Sequence, residues 1–252
     1  MEGNKPELRE LRRLIRVYLF YKHESCNVTS GYSITSSNSL GTIGLDSNRI
    51  ERGEWNIHDD LAVFHSATVF YTYRGVSSPI EQSMKEIIRS NPSYRGNPRH
   101  DTVLVRVDNN KKGFAGMRVA RIMLLFSFTA DEESHECALV QFFHCVGDSP
   151  DTTTGMWIVE PEFEPKSSLA TSNGRDFRQV RSSDLPVKVP KLAVIALGSI
   201  IRLVHLLGVP IVDGEAPPNS LTPDESLDFY EKFYVNRFAD MHMHEMLYDS
   251  RQ

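Results

Sequence analysis

Four side chains able to bind a soft metal, His135, Cys137, His144 and Cys145, lie within eleven residues of this 252-residue chain. A structural zinc site needs four such ligands closing a tetrahedron, usually supplied by CxxC or HxxxH pairs. On a strand His135 and Cys137 share a face, but His144 and Cys145 point to opposite faces, so the set does not close. The thiols are expected to be small buried apolar groups. Asn236, Asp240 and His244 recur every four residues, with His242 and Glu245 nearby. On a helix that spacing would bring a carboxylate to imidazoles, the beginning of a metal site or proton relay. No nucleophile or further ligand accompanies them, and an Asp–His hydrogen bond on the polar edge of a helix is expected instead. His65 and Ser66 are adjacent in a strand-like run and would face opposite ways. Phosphate-binding loops, dinucleotide fingerprints, nucleophile elbows and HExxH motifs are absent from the sequence. No catalytic residue, metal or cofactor is therefore expected, and the chain is not read as an enzyme.

Charge is more strongly segregated than any motif. Nine basic residues, Lys85, Arg89, Arg95, Arg99, Arg106, Lys111, Lys112, Arg118 and Arg121, stand against three acids, Glu86, Asp101 and Asp108. The stretch from Asp131 to Glu164 carries nine acids and no Lys or Arg. If the nine cations share a surface they would bind phosphates by counterion release, with Tyr94 or Tyr73 available for stacking. The competing reading is that they neutralise the acidic stretch within the fold. The overall charge of −5 excludes a uniformly basic nucleic-acid binder. No apolar run reaches the length of a membrane span; Leu192 to Val209, the longest candidate, contains Arg202 and His205. The first residues lack the order of a secretory signal, and three cysteines, Cys26, Cys137 and Cys145, suit reduced thiols inside a cell. The sequon Asn27-Val28-Thr29 gains little weight without such a signal.

The elements that would hold these groups follow from periodicity. Leu8, Leu11, Ile15, Tyr18 and Leu19 predict a basic amphipathic helix over residues 1–22, docked on the domain or on an upstream partner. Residues 23–60 are rich in Ser, Asn and Gly and are expected to form a loop. LAVFHSATVFYTY predicts a strand pair or one bent strand. Ser78-Pro79-Ile80-Glu81 has the form of a capping box, and Ile80, Met84, Ile87 and Ile88 predict a helix that Asn91-Pro92 ends. Val103, Val105 and Val107 mark a strand. RVARIMLLFSFT, ECALVQFFHCV and TGMWIVEPEF then predict an antiparallel meander. After a polar connection from Glu164 to Pro190, Leu192 to Ile195 predicts another strand, and SIIRLVHLL fits strand or helix. A final helix is expected from a second box, Thr222 to Glu225, with Leu227, Tyr230, Tyr234, Phe238 and Met241 on one stripe.

Several blocks, FHSATVFY, EIIRSNPSYRGNPRHDTVLVRV, GMRVARIMLLFSF, CALVQFF, TGMWIVEPE, SIIRLVHLLGV and SLDFYEKFYVNRFADMHMHE, occur in an order that resembles the C-terminal region of proteins encoded by DNA transposons of mushroom-forming fungi. These are the Plavac type of the Kyakuja–Dileera–Zisupton group, and the resemblance runs from about Leu61 to Glu245. It implies an intracellular, nuclear protein whose acidic-triad nuclease lies upstream in relatives and is not matched here. The chain departs from that family's pattern at Tyr73-Arg74-Gly75, where relatives carry an Asp-containing turn, and near Met241, where they carry a second His.

The expected fold is therefore α+β: a bent antiparallel sheet or partly open small barrel, similar by analogy to chromatin readers of the bromo-adjacent-homology or Tudor kind, flanked by three amphipathic helices. Residues 61–210 would form the main domain and 211–252 a linker and packed helix. The expected core is Phe64, Val103, Val105, Leu124, Phe126, Leu139, Phe142, Trp157, Val159, Ile195, Leu203 and Phe233, with a carbonyl partner for the Trp157 N–H. The leading function is a non-catalytic, transposon-derived module contacting DNA or chromatin through residues 85–121. The alternatives are a protein-interaction or structural domain that packs on an upstream nuclease, and, last, a metal-dependent enzyme at the C-terminal helix. Neither a membrane nor a small-molecule substrate is implied.

Overall fold

The structure, a computed structural model, describes residues 6–27, 61–73, 82–164, 188–210, 218, 220–222 and 225–247. Most of the expected 23–60 loop, the capping box at 78–81, the turn residues Arg74 and Gly75, and most of the 164–190 connection lie outside them.

The fold is α+β, a strongly curled antiparallel half-barrel with a few short helices. The apolar run after Gly116 becomes β6 (Met117–Ala130), long enough to bend and serve two neighbours along one edge. Its first half pairs with β5 (Thr102–Arg106), and its second half with β1 (Ala62–Phe64). A tight turn through Asp131 and Glu132, both at positive φ, leads into β7 (Glu133–Cys145), which pairs along β6 with a register shift between Ile122 and Leu124. Such a bulge sharpens the twist, and here it curls the sheet. The order continues through β8 (Ile158–Pro161), β12 (Phe233–Val235) and β11 (Leu206–Gly208), with β9 (Leu192–Ala196) on the middle of β7 and β10 (Ile200–Leu203) on the free edge of β5. SIIRLVHLL is thus strand, interrupted at Val204 and His205.

A second sheet, β2 (Ser66–Tyr73), β3 (Gln82–Tyr94) and β4 (Asn97–His100), packs over β10 and β6. The helix expected between Ile80 and Asn91 is instead β3: eight consecutive residues pair with β2 from Ser66↔Arg89 to Tyr73↔Gln82. The single C-terminal helix is corrected as well. It is divided into α2 (Ser226–Phe229), β12 and α3 (Met241–Leu247), because Phe233 and Val235 complete the sheet between β8 and β11. Its Thr222 box forms only in half: Thr222 donates to Glu225 Oε2 from its backbone nitrogen, at 3.2 Å, and from Oγ1, at 2.8 Å, but the Glu225 N–H goes to the Thr222 carbonyl, and α2 starts from Glu225 without a side-chain cap.

The N-terminal helix, α1 (Pro6–Asn27), packs its apolar stripe on the barrel wall, where Ile15 and Leu19 lie with Phe126, Phe128 and Cys137. Two further clusters fill the half-barrel, one around Trp157, Phe143, Phe233 and Leu104, the other around Ile122, Val140, Val103 and Ile88. Two core expectations are corrected. Phe64 is 47% exposed, because β1 covers only the far end of β6. Trp157 is buried beside Phe114, but its Nε1 finds no acceptor among the described residues.

Candidate functional site

The nine cations of residues 85–121 do not gather on one surface. Arg118 and Arg121 are taken by the fold itself: Arg118 donates to Glu162 and lies over the Phe142 ring, and Arg121 makes a two-pronged ion pair with Asp228 at 2.6 and 3.2 Å. Arg118 is also the one member of the nine that pairs with the acidic stretch among the described residues; that stretch is met instead by Lys22 at Glu133, Lys191 at Glu162 and Lys232 at Glu160. Arg106, Lys111 and Lys112 lie at the far end of β5 and in the turn after it, with Lys111 3.7 Å from Asp108. Seven residues of extended chain, roughly 23 Å, separate Arg106 from Arg99.

The remaining four lie along one hairpin. Cα partners across an antiparallel pair share a face, so Lys85 stands beside Phe70, Ile87 beside Thr68 and Arg89 beside Ser66. All point outward, because the alternate residues Val69 and Ile88 are buried in the core. At the tip, Arg95 (φ 54°) and Gly96 (φ 96°) both occupy the left-handed region, the conformation of a two-residue hairpin turn matching the strand twist. Asparagine and glycine adopt it readily; an arginine there costs backbone energy.

The tip draws cations together. The guanidinium carbons of Arg89, Arg95 and Arg99 lie 5.4, 5.4 and 4.9 Å from the centre of the Tyr94 ring. Each cation–π contact contributes about 0.5–1 kcal/mol at an exposed position, which offsets part of the repulsion between the three charges. Asp101 supplies the one carboxylate described at this cluster, accepting from Arg99 Nε at 2.7 Å and from the Arg89 backbone N–H at 2.8 Å. Arg95 and Lys85 have no ion pair among the described residues. Tyr94 is thus a gathering point for guanidinium groups, not the open stacking platform expected; the side chain of Tyr73 lies outside the described residues. Phe70, 67% exposed on the same face, is the ring left open. It escapes a sequence reading, although it is the one apolar residue in the outward phase of β2, among Ser66, Thr68 and Thr72.

A buried arginine locks this sheet to the barrel. Arg202 of β10 is 4% exposed. It donates to Asp240 at 3.0 and 2.6 Å and to Glu86 of β3 at 2.7 Å, and lies 4.7 Å from the centre of the Tyr71 ring of β2. Tyr71 stacks on His242 of α3, with centroids 4.9 Å apart. Glu86 also accepts from the Leu203 N–H at 2.7 Å and from Tyr71 Oη at 3.0 Å. Asp240 caps α3 through the Met243 N–H at 2.8 Å. Burial resists ionisation of Asp240, but its hydrogen bonds from Arg202 and Met243 prevail and hold its carboxyl below the usual range. The expected Asp240–His244 bond is replaced: Asp240 turns to Arg202, and His244 to Arg237 at 3.1 Å. Asn236 meets His205 at 3.0 Å.

The metal-ligand set is likewise dispersed. His135 stacks on Phe128, Cys137 is buried against α1, and His144 pairs with Glu160 at 2.6 Å. Burial raises the Cys137 thiol to about 11, far from a reactive thiolate. Among the described residues no three His, Cys, Asp or Glu side chains are placed to hold a metal ion, and no helix is long and apolar enough to cross a membrane.

Three histidines, His100, His135 and His242, have proton affinities lowered chiefly by burial. A folded-state pKa below the unfolded value of 6.5 means that the unfolded chain takes up protons first as pH falls. Stability is therefore fully present above that value and declines below it. The midpoint of thermal unfolding should drop between pH 7.5 and 5.5, and a flat profile in calorimetry would contradict these placements. A further decline through Asp240 is expected below about pH 4, the ordinary aspartate range.

Comparison of the chain with family models, with curated proteins and with solved structures finds no match.

Proposed function

We propose that this chain is a non-catalytic nucleic-acid-binding module that holds backbone phosphates along the outer face of the β3–β4 hairpin. The transposon-derived, nuclear setting is what the sequence resemblance implies. The observation that carries the proposal is the cluster of Arg89, Arg95 and Arg99 around Tyr94, with Lys85 and the exposed Phe70 continuing the strip along β3 and β2. Concentrated cations with one local carboxylate attract a polyanion even in a chain of negative overall charge. A sheet face that offers guanidinium groups and an open ring suits a flexible single strand, whose bases can turn to meet it.

The interaction-domain alternative gains less support. The apolar stripe of α1, which would have met an upstream partner, is packed on this chain's own Phe126 and Phe128. The enzyme reading has less still, since Asp240 and His244 are each committed to an arginine.

Four cations meeting four phosphates predict a fall in affinity for a single-stranded oligonucleotide of about 50-fold between 50 and 200 mM salt, from a log–log slope near −0.7 per contact. Fluorescence anisotropy with labelled single-stranded and duplex DNA reads this directly. No binding at the lower salt would remove the proposal.

A further inference from the structure

On the opposite side of β4 from the arginine cluster lies a cleft of about 680 Å³, well within the range of small-molecule sites. Successive strand residues face opposite ways. Arg99 therefore joins the outer cluster, while His100 lines the cleft. A strand bound along the hairpin would have this opening at its edge.

The chemistry of the cleft differs from that of the hairpin. Phe163, Phe229 and Tyr230 supply aromatic walls. The charged lining is paired within itself: Arg121 with Asp228, Lys188 with Glu231, and Glu160 with His144. No cation of this lining is left unpaired to hold a phosphate; a flat, uncharged ring needs none. The polar floor mostly accepts hydrogen bonds. His100 Nδ1 lies 2.9 Å from the Ile122 carbonyl and must donate to it, and burial disfavours a second ring proton, so Nε2 remains an acceptor. Gln141, 4% exposed, donates one Nε2–H to the Glu162 carbonyl at 3.0 Å, so its amide keeps one donor beside the Oε1 acceptor.

Aromatic walls, no unpaired cation for an anion and an excess of acceptors define a ligand class. We infer that the cleft takes an unpaired nucleobase whose amino group stands where thymine and guanine carry a carbonyl, that is adenine (N6) or cytosine (N4). Such groups donate where thymine presents a carbonyl. The inference rests on the hairpin proposal for how a strand would arrive, but base recognition in the cleft stands on its own geometry.

Free nucleosides separate the two, since they carry no phosphate for the arginines. Saturation-transfer NMR with deoxyadenosine, deoxycytidine and thymidine should give signals for the first two about fivefold or more above the third, in keeping with hydrogen-bond discrimination between bases. Phe229→Ala and Phe163→Ala, each at a part-exposed ring, should abolish those signals while thermal melts show the fold intact. Absence of signal from all three nucleosides, equal signals, or signals that survive both substitutions would overturn the inference. Salt-dependent oligonucleotide binding without nucleoside signals would reject the cleft and leave the hairpin. Nucleoside signals without oligonucleotide binding would do the reverse.

Discussion

Replacing Arg202 by methionine should destabilise the protein by about 3–5 kcal/mol, the typical cost of breaking a buried ion pair from one side. For a chain of this size the loss corresponds to a fall of about 10 °C in Tm. The cause is what stays behind: Glu86 and Asp240 would each keep a charge facing the other across the vacated guanidinium position. Removing those charges too should restore much of the loss, because a neutral network of similar volume often matches a buried ionic one. Arg202→Met, Glu86→Gln plus Asp240→Asn, and the triple variant form a thermodynamic cycle. Calorimetry showing additive effects would contradict a coupled network. Hydrogen exchange adds a spatial check, since the network ties β2, β3, β10 and α3 together. Protection should weaken across β2 and β3 in Arg202→Met, before the β6–β7 ladder is affected.

The second large effect concerns a residue placed against its backbone preference. Arg95 adopts φ 54° at the hairpin tip, followed by Gly96. Asparagine before glycine is a favoured pair for this turn, so Arg95→Asn should leave stability unchanged or raise it by up to about 1 kcal/mol, the backbone cost removed. The same change should weaken oligonucleotide binding about tenfold and reduce the salt slope by nearly one contact. A variant that folds as well or better and binds worse distinguishes a binding role from a structural one. Unchanged binding would remove Arg95 from the interface.

Much of the half-barrel is legible in the sequence because its strands obey a simple rule. β6 and β7 are long apolar runs, buried on both faces over Val119–Ile122 and Val140–Phe143, and short polar breaks mark their turns. β3 is illegible for a physical reason. Ile88 faces the core while Ile87 lies outward at 40% exposure, and with Met84 the two imitate a helical stripe. Pairing with β2 decides the matter, and no local pattern encodes that pairing. Pro92, which has the look of a helix stop, falls within the irregular stretch between Asn91 and Tyr94, where a missing N–H costs little. The C-terminal stripe misleads similarly. Phe233 and Val235 are needed by the sheet, which leaves Phe238 and Met241 at the surface.

Charge is legible as composition but not as placement. The basic segment is visible, yet the residues that neutralise it arrive from far along the chain, as Asp228 does for Arg121 and Glu162 for Arg118. Only the fold divides the nine cations into two committed to structure, three at the far end of β5 and four on the hairpin. The convergence of three guanidinium groups on Tyr94 depends on the turn at Arg95-Gly96. That turn lies in NPSYRGNPRH, whose composition marks it as turn-rich, but its pairing of β3 with β4 is hidden by the helix-like stripe before it.

The hairpin's role is tested most directly by a charge-matched comparison of salt dependence. Arg89, Arg95 and Arg99 are replaced by alanine in one protein, and Arg106, Lys111 and Lys112 in another, and single-stranded DNA affinity is followed across a salt series. Three charges are removed in both, so overall electrostatics change equally. The predicted result is a slope shallower by about two in the hairpin variant, with binding nearly lost, and a slope changed by less than about one in the other. Equal loss in both proteins, or a greater loss in the second, would contradict the claim that the hairpin is where this protein meets nucleic acid.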